Sequence, residues 1–388
     1  MVRTLLVSGL LLSSGALKAD ISWQKYQVAL GEQTRGIDAA DFDGDGNLDI
    51  VATGEVSVFI VTNPMENQRA QVLWDTGGGS LLYAVSGDMD RDGDLDFVVA
   101  RGYSPWTEYR EMRARDEKAR KPKRVDDFSI AWIENTGELG GKLMWHPVDL
   151  DLHGCHGLAI GDLNRDGLLD VVGNSFQGNF KDSVAWFENF DGKFVRHMIA
   201  SSTAAVRPHY MDIGDLDYDV KPDVVVGHSR GNVLSWYKNP PSLYRKWSDN
   251  LIGEQEGVTN AQIADIDGDG RWDVVSSNGH GTGLHWYKGP YWNLNTIDGA
   301  ISDCHALDVG DFDSDGDLDV ATASFTEKVV RWYENRGEGR FRGYDIDVGT
   351  EQEAYDLKAV DLNKDDRLDI LLAGRQSNNA VWYINRED

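Results

Sequence analysis

One nine-residue string, Asp-x-[Asp/Asn]-x-Asp-Gly-x-x-Asp, occurs seven times in this chain, and repetition on that scale leaves few folds open. Five copies are complete. They carry Asp41, Asp43, Asp45 and Asp49; Asp88, Asp90, Asp92 and Asp96; Asp162, Asn164, Asp166 and Asp170; Asp265, Asp267, Asp269 and Asp273; and Asp311, Asp313, Asp315 and Asp319. Two copies are degraded. Asp215, Asp217, Asp219 and Asp223 enclose Val220 where Gly is expected, and Asp361, Asn363, Asp365 and Asp369 enclose Asp366 there.

The copies start 47, 74, 53, 50, 46 and 50 residues apart. Each sits in the same context. A short alternating segment such as His156 to Gly161 leads in, and a β-branched run such as Val224-Val225-Val226 leads out. An aromatic segment ending near Asn follows, as in Trp132 to Asn135, Trp186 to Asn189, Trp236 to Asn239, Trp332 to Asn335 and Trp382 to Asn385. A fourth segment, for example Phe194 to Ile199, closes the unit. This pattern predicts an all-β fold: a seven-bladed β-propeller of four-stranded antiparallel blades, with the acidic loop between strands 1 and 2. The last unit stops after its third strand, and Ile21 to Leu30 reads as a displaced fourth strand, so the two ends are expected to pair and close the ring. The recurring Trp and Tyr are read as packing between blades rather than as sugar platforms.

Hard oxygen donors at positions 1, 3, 5 and 9 suit calcium, and Gly at position 6 permits the turn around the ion. An EF-hand would need a longer loop ending in Glu between helices. Five to seven calcium ions are expected, with the two Gly-less loops the weaker. The loops also explain the acidity. Their four ligand positions hold 26 of the 65 acidic residues, and seven divalent ions would bring the formal charge from −27 to about −13. That charge excludes nucleic acid as an expected partner. Residues 1–19 read as an export signal, with Arg3, the apolar stretch Leu5 to Leu12 and small residues up to Ala19. Residues 20–388 then form a single propeller, exported, with no expected membrane span and a monomeric state.

The loops, the leading Gly-Asp or Ala-Asp and the trailing Leu-Asp-[Val/Ile/Phe] resemble the FG-GAP or VCBS repeats of integrin-type propellers over residues 22–388. That resemblance implies the fold and calcium. It implies little about activity, because similar repeats occur in integrin heads, in lectins and in extracellular enzymes acting on carbohydrates.

Function is therefore sought on the face opposite the acidic loops, where strand 1 begins and strand 2 ends. Six residues before the loops stand Arg35, His156, His209, His305 and Tyr355, and these are the candidate catalytic groups. Tyr83, Tyr210 and Asn260 follow one position on, and Arg101, His228, His280 and Arg375 lie at strand 2 exits; these seven are candidate substrate contacts. An insertion near 102–127 in blade 2 brings a charge of +5 over residues 101–124, together with Tyr103, Trp106 and Tyr109, and reads as a solvated loop or a lid for an anionic ligand. His, Tyr and Arg around a channel mouth suit β-elimination from a uronate-containing glycan, and some polysaccharide lyases use seven-bladed propellers with such a set. The same histidines, with a cysteine, would alternatively hold zinc. Cys155 and Cys304 are expected to be free buried thiols rather than a disulfide. Polar residues three before the loops, Asp38, Asp212, Gln262, Asp308 and Lys358, are expected to line the channel. The function expected is secreted action on acidic carbohydrate by elimination; the alternative is a non-catalytic lectin-like or adhesive propeller.

Overall fold

In a computed structural model, residues 21–102, 105–115, 117–122, 125–137, 144–152, 154–175, 183–201, 206–242, 245–349 and 354–387 are described. They form seven four-stranded antiparallel sheets. Six sheets follow chain order, strand 1 innermost. In the seventh, Ile21–Ala29 lies against Asn379–Glu387, in register from Ile21 opposite Glu387 to Ala29 opposite Asn379. The ring is closed by its two ends, as the sequence pattern predicts.

The apolar core is divided into seven clusters, each lying between two neighbouring blades. Val98, Ile130 and Trp132 of blade 2, for example, meet Val171, Ala185 and Phe187 of blade 3. Each sheet has two apolar faces because each face is covered by a neighbour, so the strand 2 runs are apolar at successive positions. Trp132, Trp186, Trp286, Trp332 and Trp382 are all buried in these seams. Packing between blades is their role.

Polar side chains lock the seams at both ends. The Asn that ends strand 3 reaches back into the preceding blade: Asn135 Nδ2 donates to Phe42 O at 2.7 Å, Asn335 Nδ2 to Ile266 O at 2.7 Å and Asn385 Nδ2 to Phe312 O at 2.6 Å. Near the channel the acids before the loops reach forward. Asp38 accepts from Ser86 N at 2.7 Å, Asp212 from Ile263 N at 2.8 Å, Asp308 from Ala359 N at 2.7 Å and Asp356 from Ile37 N at 3.1 Å. These acids therefore hold successive first strands together. The Lys358 ammonium is the charge that faces them, 4.0 Å from Asp356 and 3.4 Å from the Tyr83 hydroxyl.

Candidate functional site

The acidic loops share one conformation. The first Asp accepts from the amide at position 6, as in Gly46 N to Asp41 at 2.8 Å and Gly316 N to Asp311 at 2.9 Å. The degraded loops do the same: Val220 N reaches Asp215 at 2.7 Å and Asp366 N reaches Asp361 at 2.9 Å. Val220 and Asp366 hold φ of 74° and 64°, in the left-handed region that Gly usually fills. Loss of the Gly thus leaves the turn intact, because the surrounding hydrogen bonds over-determine it. The ninth Asp is wholly buried in every copy. Its two oxygens accept the amides of loop position 2 and of the residue that ends strand 3, as Asp170 does from Leu163 N (3.0 Å) and Asn189 N (2.8 Å). Buried carboxylate oxygens at Asp41, Asp88, Asp217 and Asp267 lack hydrogen-bond partners among the described residues. Oxygen donors left open in this way fit a hard cation.

One difference between loops was not anticipated. In blades 4 and 5 the residue just before the one whose amide meets the ninth Asp is a lysine, and its ammonium sits among the loop carboxylates. Lys238 contacts Asp217 and, at 3.2 Å, Asp219; Lys288 contacts Asp267 and, at 2.9 Å, Asp269. Blades 2, 3 and 6 carry Glu134, Glu188 and Glu334 at that position.

At the opposite end of the first strands, four imidazoles converge. Ring centroids lie 5.0 Å apart for His156 and His209, 5.1 Å for His209 and His280, 5.5 Å for His209 and His305, and 5.0 Å for His280 and His305. Local backbone irregularity presents them. Pairing of strands 1 and 2 slips between Pro208 and Met211, between Cys304 and Ala306 and between Ala354 and Asp356, so His209, His305 and Tyr355 stand on bulges. Close approach of blades is permitted by glycine: a Cβ on Gly157 would lie 2.5 Å from His209 O. The backbone of the histidines is held by amides, Asn174 Nδ2 on His209 O and Asn260 Nδ2 on His305 O at 2.7 Å. Tyr355 stacks on His305 at 4.4 Å, and the Arg375 guanidinium lies over the Tyr355 ring at 5.0 Å. Tyr210 and Tyr83, 5.3 Å apart, form a buried layer beside this centre.

The electrostatics follow from burial and from like neighbours. Burial pushes His156 down to about 3, helped by Arg207, His280 and Arg35. Burial first, and then the other imidazoles and Arg207, hold His209 and His305 well below the ordinary histidine range. His280, exposed to solvent at the mouth, is lowered by the desolvation of its inner side, then by Arg207. All four rings are therefore neutral at physiological pH, facing arginines. Gln33 ties two of these together, accepting from Arg35 at 2.9 Å and from Arg375 at 3.4 Å.

The sequence-predicted site residues thus divide. His156, His209, His280, His305, Tyr355, Arg35 and Arg375 are brought together. Tyr83, Tyr210 and Asn260 support them. Arg101 and His228 are placed elsewhere: Arg101 is wholly buried over the Phe128 ring at 3.8 Å and donates to Asp126 O, while His228 is buried against the Tyr237 hydroxyl at 3.1 Å. Both end strand 2 inside the sheet, whereas His280 and Arg375 lie beyond the last paired residue. Arg207 and Gln33 were missed, since neither stands at a repeated offset. The basic insertion forms the helix Pro105–Arg115, anchored by Arg110 to Asp127 at 2.8 Å and to Asp151 at 3.0 Å. Tyr103 lies outside the described residues, as does the proposed leader 1–19. Both cysteines are free and buried in separate seams, Cys155 Sγ toward Gly157 O and Cys304 Sγ toward Ser302 O, so neither joins the histidines.

Comparison with known proteins follows the fold. The FG-GAP-like repeat matches residues 41–99, 162–226, 215–276, 265–322 and 311–372, more than half of the chain. No curated protein matches it. A streptogramin B lyase structure aligns over 94% of this chain and 98% of its own, with a TM-score of 0.62 and 10% identity. A catalytically inactive histidine-to-alanine variant of virginiamycin B lyase from Staphylococcus aureus, with quinupristin, aligns over 93% and 99%, with a TM-score of 0.60 and 11% identity. BBS1N in complex with ARL6DN aligns over 93% and 96%, with a TM-score of 0.58 and 12% identity. Among the described residues, no helix is long and apolar enough to cross a membrane.

Proposed function

The chain belongs to the FG-GAP-like repeat family, and on that scaffold we propose that the histidine centre is the active site of an exported lyase acting on an acidic carbohydrate. The observation that carries this reading is Tyr355, held between the His305 ring and the Arg375 guanidinium at the edge of four neutral imidazoles. Arg35, Arg207 and Arg375 supply positive charge for a uronate carboxylate. Neutralising that carboxylate makes the C5 proton easier to remove. Tyr355 and His156 are the proton-handling groups. The C5 proton passes to one of them, its electron pair forms the C4–C5 double bond, and the departing C4 oxygen takes a proton from the other. A bound carboxylate raises the proton affinity of nearby imidazoles, which burial alone had lowered. Two of the similar structures are lyases, which fits this fold without identifying a substrate. The test is incubation with a panel of polyuronates while following the ultraviolet absorbance of unsaturated products. Tyr355→Phe is expected to slow product formation by roughly 100-fold or more. Retained glycan binding with no product from the unaltered protein would favour a lectin-like module instead.

The acidic loops are calcium sites in this reading, supported by their open carboxylate oxygens. Calcium there would screen repulsion within each loop. The lysines change the expected number. An ammonium already neutralises the carboxylates in blades 4 and 5, and a divalent ion would have to expel it. Blades 1, 2, 3, 6 and 7 carry no such lysine, so about five bound ions are expected rather than seven, with the Gly-less loop of blade 7 the weakest. Equilibrium dialysis with calcium measures this. Lys288→Met is expected to add one ion, and Lys238→Met another; seven ions in the unaltered chain would refute the assignment.

A further inference from the structure

We propose that His209, His280 and His305 form a binding site for one divalent first-row transition ion, with zinc the best fit. One ring nitrogen from each lies within 4.8 Å of the other two, close enough for small ring rotations to bring all three onto one ion at about 2.1 Å. The donors are free to bind. Neither ring nitrogen of His209 and not the Nε2 of His305 has a hydrogen-bond partner among the described residues, although both rings are buried. Unsatisfied buried imidazole nitrogens are costly unless something occupies them. The tautomer of His305 is set by its surroundings. The Tyr210 hydroxyl gives its proton to Tyr355 O, so toward His305 Nδ1, 3.4 Å away, it acts as acceptor. His305 therefore carries its proton on Nδ1 and directs the Nε2 lone pair into the cluster. Such an outer partner is the usual companion of a metal-binding histidine. His280 is exposed, which leaves the ion reachable from solvent and one position open. Nitrogen donors exclude calcium and magnesium here. His156, its ring 5.0 Å from that of His209, lies outside this donor set.

This site lies in the proposed active centre, but the inference rests on imidazole geometry and not on the substrate. The test uses the full chain stripped with chelator and returned to excess calcium, then titrated with cobalt(II). Visible absorption bands saturating at one equivalent are expected, with zinc displacing the cobalt. His209→Ala and His280→Ala should abolish the bands. His280 is exposed, so its variant tests the site even if the buried substitution disturbs folding. Tyr210→Phe should weaken cobalt binding about 10-fold or more while leaving the fold intact by circular dichroism. Absence of saturable bands, or bands unchanged in His280→Ala, overturns the proposal. Metal binding without any polyuronate product would instead remove the lyase reading alone.

Discussion

A chain that begins at Gly31, lacking the strand Ile21–Ala29, is expected to lose its fold rather than to melt a few degrees lower. That strand is the fourth of the last blade, paired along nine residues with Asn379–Glu387. Trp23 packs edge-on against Phe312 at 6.1 Å, and Tyr26 stacks on Trp382 at 6.0 Å. Val28 and Leu30 are buried in the seam between blades 7 and 1. Partial burial of five apolar side chains, these four and Ile21, contributes about 5–10 kcal/mol at the usual value per side chain. Domain stabilities are themselves about 5–15 kcal/mol, so the loss takes most of what is available. It also bares the edge of Asn379–Glu387, a template for association between chains. Soluble yield, size-exclusion chromatography and circular dichroism measure the outcome. A peptide covering residues 20–30, added in trans, should restore monomeric protein. A truncated chain that stayed monomeric with an unchanged melting temperature would show that closure is not what holds the ring.

The blade count, the strand order and this closure were legible because their signals are local and repeated. A loop of spaced aspartates needs its neighbours for nothing but position, and seven copies mark seven turns. The histidine centre was legible only in part. Counting back from each loop locates a Cα near the channel, and it found His156, His209 and His305. It could not tell which side of the sheet a strand 2 exit faces. Arg101 and His228 stand five residues past the ninth-position aspartate's own number and remain inside the pairing; His280 and Arg375 stand further out and turn toward the mouth. The bulges at His209, His305 and Tyr355 depend on contacts between blades, which no single unit encodes. Arg207 lies in an irregular connection, with φ of 53°, where offset has no meaning. The lysines of blades 4 and 5 were visible as Lys238 and Lys288, but their pairing with loop carboxylates required the distance across the hairpin.

The ninth aspartate is expected to matter even where no ion is present. Asp319 is wholly buried; its Oδ1 accepts Asn335 N at 2.7 Å, and its Oδ2 accepts Phe312 N at 3.1 Å and the Trp332 indole at 3.0 Å. Burial pushes the carboxyl up to about 7, while these three donors pull the other way. Asp319→Ala strands all three donors in a seam that water does not reach. At about 1–3 kcal/mol for each lost partner, the total destabilisation is about 3–9 kcal/mol. Asp315, exposed at position 5, accepts from the turn amide Asp317 N at 3.0 Å and is not buried in the seam. The two variants therefore separate a structural pin from an ion ligand. In chelator, urea unfolding should show a large loss for Asp319→Ala and a small one for Asp315→Ala. In excess calcium, Asp315→Ala should fall further behind the parent, because blade 6 then forgoes its ion while the parent keeps it. If Asp319→Ala in chelator matched the parent to within about 1 kcal/mol, position 9 would be a ligand alone, and the hydrogen bonds it makes would contribute nothing to the ring.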